Sequence, residues 1–150
     1  MTKKQLLWVA AAGLVGGAAL LWMSPDPPQD PEAQVRAAIQ SMEEAAEARD
    51  LPGLMEGVSE RFRGQGGVSR DQLKGMLFMT LRRGSWNQVA LTDTRVVLEG
   101  AEAAEVSATA LLAQGSGIAS ARADAYRFSL RFEREGEEWR LVHATWTPRR

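Results

Sequence analysis

Cysteine is absent from the 150 residues, and histidine occurs once, at His143. Without thiols there is no disulfide, no cysteine nucleophile, no lipidated cysteine and no thiolate metal site. A lone imidazole then excludes an ordinary zinc centre. The lack of cysteine is compatible with an oxidising compartment. An excess of one charge is missing too: 18 basic side chains meet 19 acidic ones, a net charge of −1. Nucleic-acid-binding domains of this size carry a clear positive excess, so no nucleic-acid partner is expected. There is no GxxxxGK[ST] loop, because the glycine-rich stretch 64–67 lacks the lysine. Neither a cofactor nor a metal is expected.

What is present divides the chain into four parts. Residues 1–5 form a short tail with Lys3 and Lys4, and residues 6–23, LLWVAAAGLVGGAALLWM, carry no charge. As a helix this run spans about 27 Å, close to the roughly 30 Å hydrocarbon core of a bilayer. The preceding lysines and the following Asp26 and Asp30 place the N-terminus in the cytoplasm. A cleavable signal peptide has a shorter apolar region and a small-x-small site. Here the run ends in Leu-Leu-Trp-Met-Ser-Pro. A retained transmembrane anchor is therefore the first expectation, and secretion after cleavage the alternative. Residues 24–30 lie in a proline-rich linker, and residues 31–150 are the folded domain.

Asp30, Pro31 and Glu32 announce a helix. Val35, Ala38, Ile39, Met42, Ala45 and Ala46 follow at helical spacing, with Glu43, Glu44 and Glu47 assigned to a solvated face. Asp50 caps a short second helix. Residues 59–63 form a brief strand. Ser69 and Gln72 make a capping box for a third helix, whose buried stripe is Leu73, Met76, Leu77, Thr80 and Leu81. Met76 and Met79 read as core filler. The basic side chains Arg61, Arg63, Arg70, Lys74, Arg82 and Arg83 gather in the middle third. Strand character begins at Trp86, with an irregular first strand in which a bulge would turn Asp93 inward.

In the stretch 126–146, Tyr126, Phe128, Leu130 and Phe132 alternate with polar residues, and Trp139, Leu141 and His143 do so after a break. Folding the hairpin about Glu135 and Gly136 sets Phe132 opposite Trp139, Leu130 opposite Leu141 and Phe128 opposite His143. His143 then shares the apolar face, Trp139 joins the core and Trp146 faces outward. The fold expected is α+β: a transmembrane helix, then about three helices on a curved four-stranded, mostly antiparallel sheet.

The opening helix with Ala48-Arg49-Asp50-Leu51, the capped helix 69–81, and the ending 126–132 followed by Glu138-Trp139-Arg140-Leu141-Val142-His143 resemble the nuclear transport factor 2-like superfamily. That superfamily includes SnoaL-like polyketide cyclases and ketosteroid isomerase. The resemblance covers residues 31–147. It implies a curved sheet around helices, a pocket at the open end and a homodimer through the sheet face. Enzymes of this kind use carboxylates, His or Tyr inside the cone; His143, Tyr126 and Asp93 are the catalytic candidates, and Tyr126, Phe128, Trp139 and His143 the pocket candidates. The carboxylate pair of ketosteroid isomerase has no matching positions. The expected function is a non-enzymatic binding or assembly module of the bacterial cell envelope. Its domain is periplasmic, its anchor lies in the inner membrane, and its partner is a small apolar ligand or an envelope protein. The alternative is a SnoaL-like isomerase or cyclase-type enzyme that uses His143 in an apolar pocket.

Overall fold

The computed structural model describes residues 30–83, 88–113 and 123–149. The expected anchor and most of the linker lie outside the described residues. Among the described residues, no helix is long and apolar enough to cross a membrane.

The local signals of the sequence become local structure. Asp30 Oδ2 accepts a hydrogen bond from Ala33 N at 3.2 Å and caps α1 (Pro31–Glu47), which buries Val35 and Ile39. Arg49, at φ 55°, turns the chain, and Asp50 Oδ1 accepts from Gly53 N at 3.1 Å to cap α2 (Leu51–Glu56). Ser69 and Gln72 exchange both bonds of the capping box, at 2.9 and 3.2 Å, ahead of α3 (Arg70–Arg83). The inward face of α3 is centred on the row Leu73, Leu77 and Leu81. Met76 lies about 100° from Leu77 around the helix. It is therefore exposed, as is Met79, and neither fills the core.

The sheet has five strands, not four. Strand β1 (Val58–Gly64) pairs in parallel with β5 (Glu138–Pro148); β4 (Ala123–Glu135), β3 (Ala103–Ala113) and β2 (Gln88–Glu99) continue it antiparallel, in the order β1-β5-β4-β3-β2. The brief strand at 59–63 belongs to the sheet because Leu141 N donates to Gly57 O at 2.8 Å and Phe62 is fully buried. The helices cover the sheet's inner face. The core is Val35, Phe62, Val106 and Phe132 with their neighbours.

The final hairpin differs from its expected register in two ways. Glu135 pairs with Glu138, so the turn residues are Gly136 and Glu137, and Gly136 takes φ 67°. A left-handed first turn position favours glycine, which shifts the pairing by two residues from one folded about Glu135 and Gly136. Phe132 then faces Leu141, and Glu133 faces Arg140 instead of a like charge. A second change follows between Arg131 and Phe132, where β5 holds an extra residue, Val142. Every later side chain of β5 changes face. Trp146 turns inward, opposite Phe128, and His143 turns outward, opposite Arg131.

Both outer strands of the sheet are covered along part of their length. On β2, Leu91 N donates to Glu43 Oε1 at 3.2 Å and Val89 N to Glu47 Oε1 at 3.3 Å. Both acids of α1 accept from strand amides; Glu43 is thereby half-buried, while Glu47 stays exposed as expected. At the other side, the Arg70 guanidinium donates to Val58 O of β1 at 3.3 Å and to Met55 O of α2 at 3.0 Å. Occupied edge groups deny pairing to other chains.

Candidate functional site

Strand β3 presents Ala104, Val106, Ala108 and Ala110 to the helices. The short side chains of Ala108 and Ala110 leave space that longer ones would fill. The result is a cavity of about 270 Å³ between sheet and helices. Its wall includes Ile39 and Met42 of α1, Leu77 of α3, Leu91 of β2, Tyr126, Phe128 and Leu130 of β4, and Trp146 of β5. Glu43 and Tyr126 are the ionisable side chains of the lining, and the Glu43 carboxylate is the one bonded to Leu91 N.

Of the residues singled out from the sequence, Tyr126 and Phe128 line this cavity. Trp139 is buried but is not part of the cavity wall, and its indole N–H donates to Gln34 Oε1 at 2.9 Å. His143 is exposed on the other face of the sheet, with Nδ1 2.6 Å from Arg63 O. Strand β2 does bulge at Asp93, which takes φ 53°, a conformation Asp tolerates better than most residues. Asp93 is nevertheless exposed and stands outside the cavity wall. The structure thus brings together Tyr126 and Phe128, and separates them from His143 and Asp93. Trp146, Leu91 and Met42 line the cavity but were not among the pocket candidates, and Trp146 was expected to face outward. A signal for Trp146 existed in the adjacent apolar pair Leu141 and Val142, both buried, which a regular half-buried strand would not contain.

Among the described residues, no group of three His, Cys, Asp or Glu side chains is placed to hold a metal ion. The charged groups instead form a network on the outer face of the sheet. Arg131 Nη1 lies 2.7 Å from both Glu99 and Glu105, whose hydrogen bonds, Glu99 first, raise its pKa above the ordinary arginine value. Arg140 bridges Glu138 at 2.7 Å and Glu135 at 3.6 Å. Glu135 also accepts from Ser59 Oγ at 2.9 Å and from Arg61 Nη2 at 3.1 Å. Burial, the largest influence, pushes the Glu135 pKa up, but the Ser59 and Arg61 hydrogen bonds and the nearby guanidinium charges outweigh it and the net displacement is downward.

The sign of the pH effect follows. A carboxyl with a lower pKa folded than unfolded contributes stability that is present above its unfolded pKa and lost as pH falls through the folded one. Acidification through the carboxylate range is expected to destabilise the protein partly through Glu135. Urea midpoints measured against pH should fall less steeply in Glu135→Gln; equal slopes in the two proteins would show that Glu135 is not responsible.

No protein-family model and no curated protein matches this sequence. Solved structures do match its fold. An NTF2-like protein of unknown function from Pseudomonas putida KT2440 superposes with a TM-score of 0.66 at 17% identity, over 77% of this chain and 84% of that one. A proposed dehydratase of the NTF2-like family from Streptomyces avermitilis gives 0.66 at 17% identity, over 81% and 98%. An uncharacterised protein with a cystatin-like fold from Caulobacter vibrioides gives 0.63 at 16%, over 78% and 88%. Five strands in the order β1-β5-β4-β3-β2 around three helices, together with these superpositions, identify the fold of this domain as the nuclear transport factor 2-like, cystatin-like cone.

Proposed function

We propose that the chain is a non-enzymatic binding module of the bacterial cell envelope, tethered to the inner membrane by residues 6–23 with its domain in the periplasm, and that the domain takes up a small apolar molecule. The observation that supports this most is the cavity: about 270 Å³, walled by aliphatic and aromatic side chains, with its one carboxylate already bonded to a strand amide. Ligand sites run roughly 300–1,000 Å³, so the molecule that fits is compact. General acid–base catalysis needs a proton donor or acceptor within reach of the substrate. Tyr126 stands at the wall without His143 or Asp93 beside it. The isomerase or cyclase-type alternative has less support, because its base would act from the outer face of the sheet. The solved neighbour proposed to be a dehydratase is the reason to keep turnover in the test.

The full chain in detergent should bind at least one compact hydrocarbon-like compound from a graded panel, saturably and one to one, with a negative heat-capacity change. A ligand at a hundred times its Kd should add about 2.7 kcal/mol of stability. A panel without one saturating member overturns the ligand reading, and turnover abolished by His143→Ala would restore the enzymatic one. For the tether, carbonate-washed membranes should retain the chain. A soluble mature protein beginning near Ser24 would refute it.

A further inference from the structure

One side chain belongs to two spaces at once. Glu43 of α1 lines the apolar cavity, and with Ile39 and Leu91 it also lines an outer groove of about 410 Å³ between α1 and β2. Glu43 is half-buried, its Oε1 accepts from Leu91 N at 3.2 Å, and among the described residues neither carboxylate oxygen has a cationic partner. The one cation of the groove lining, Arg36, is turned to Glu32 at 3.1 Å. On the outer face of the sheet the situation is the opposite. There Glu99, Glu105, Glu133, Glu135 and Glu138 each meet an arginine. Glu43 thus holds a charge on the wall of an apolar cavity with one backbone amide to balance it.

We infer that the molecule taken up is an apolar amine, with its hydrocarbon part in the cavity and its ammonium group at the boundary formed by Ile39, Glu43 and Leu91, donating to the Glu43 carboxylate. The inference rests on the cavity reading above and adds the polar end of the ligand. An ionised carboxylate accepts and never donates, so its partner must carry N–H or O–H. Among donors, a cation makes the stronger and shorter bond and also balances the charge. A primary amine is protonated at neutral pH, as lysine is. An anionic ligand would meet repulsion at the same place. The amide bond need not be given up, because Oε1 holds Leu91 N while Oε2 has no partner among the described residues. The two spaces suit the two ends: the cavity wall is aliphatic and aromatic, and the groove, with Glu44 and Glu47 in its lining, leaves the remaining ammonium hydrogens to water and carboxylates. Tyr126, the other ionisable group of the cavity lining, is neutral at the same pH and offers no competing charge.

Hexylamine, hexanol and hexanoate share one tail and differ in the head, so they separate the two ends of the ligand. The full chain, in nanodiscs of zwitterionic lipid and carrying isotope-labelled methionine methyls, can be titrated with each. Met42 belongs to the cavity wall, and its resonance, assigned with Met42→Leu, reports occupancy. Hexylamine should bind about tenfold more tightly than hexanol, with hexanoate the weakest of the three. Glu43→Gln keeps an acceptor for Leu91 N, so its urea midpoint should stay near that of the parent. In it the amine and the alcohol should bind within about twofold of one another. Ala110→Leu should weaken both, which places the tail in the cavity. Hexanol bound with no preference for the amine, or a preference that survives Glu43→Gln, overturns this inference and leaves the cavity reading intact. An amine that binds Ala110→Leu as well as the parent sits in the groove alone and overturns it too. If none of the three binds and the wider panel of apolar compounds also fails, both readings fall; if the panel gives a ligand and none of these three binds, only the amine is overturned.

Discussion

Phe62→Ala is expected to destabilise the domain by about 3–5 kcal/mol, read as a lower urea midpoint, which is a large fraction of the 5–15 kcal/mol that usually holds a domain. Phe62 has no exposed surface and belongs to the main core cluster. Its ring lies over Gly64, where an added Cβ would stand 3.1 Å from ring carbons Cε1 and Cζ, so a smaller residue leaves a void that the stiff strand cannot close. β1 is also the strand with the weakest hold on the sheet. Its ladder to β5 is parallel and broken by a register shift between Val58 and Arg63, leaving three matched positions. Side-chain burial must therefore fix it in place, and Phe62 is the largest buried side chain of the strand. If β1 loosens, the Ser59 and Arg61 bonds to Glu135 loosen with it. Arg61→Ala is the control: its guanidinium is largely exposed, and exposed ion pairs contribute little. A Phe62→Ala protein no less stable than Arg61→Ala would mean that β1 is not a structural part of the core.

That strand also shows where the sequence is and is not informative. Helix starts are local events, so Asp30, Asp50 and the Ser69–Gln72 box could be read from neighbouring residues and appear as such. β4 alternates regularly, and Tyr126, Phe128, Leu130 and Phe132 all face inward. β1 was legible as a short strand but not as a member of the sheet, because a parallel partner 80 residues away leaves no mark on local periodicity. The hairpin register turned on one backbone preference, the positive φ of Gly136. One of the four pocket candidates, His143, turned on one extra residue, Val142, which sends Trp146 in and His143 out. Bulges are the point at which two-residue periodicity stops carrying information. At Asp93 the bulge itself was foreseeable from an irregular strand, but the direction of the side chain depended on φ.

The second large effect concerns the cavity, and it has two signs. Ala110→Leu is expected to stabilise the ligand-free protein by about 1 kcal/mol and to weaken binding of the compact apolar ligand roughly a hundredfold. Ala110 is 5% exposed and lies on the cavity wall, so three added carbons enter space that exists already. Burying them is favourable by up to about 2.4 kcal/mol, and strain against Tyr126 or Leu91 takes back part of it. A ligand that fills about 270 Å³ has no equivalent place to go. Denaturant midpoints and titration calorimetry on one preparation read both quantities. If Ala110→Leu destabilises the chain and leaves binding untouched, the ligand sits elsewhere and the void is only a packing defect. If stability rises while binding falls, alanine at this position costs the fold free energy and is accounted for by the ligand. Folding alone would then favour a larger residue there, and the cavity would be accounted for by the proposed ligand.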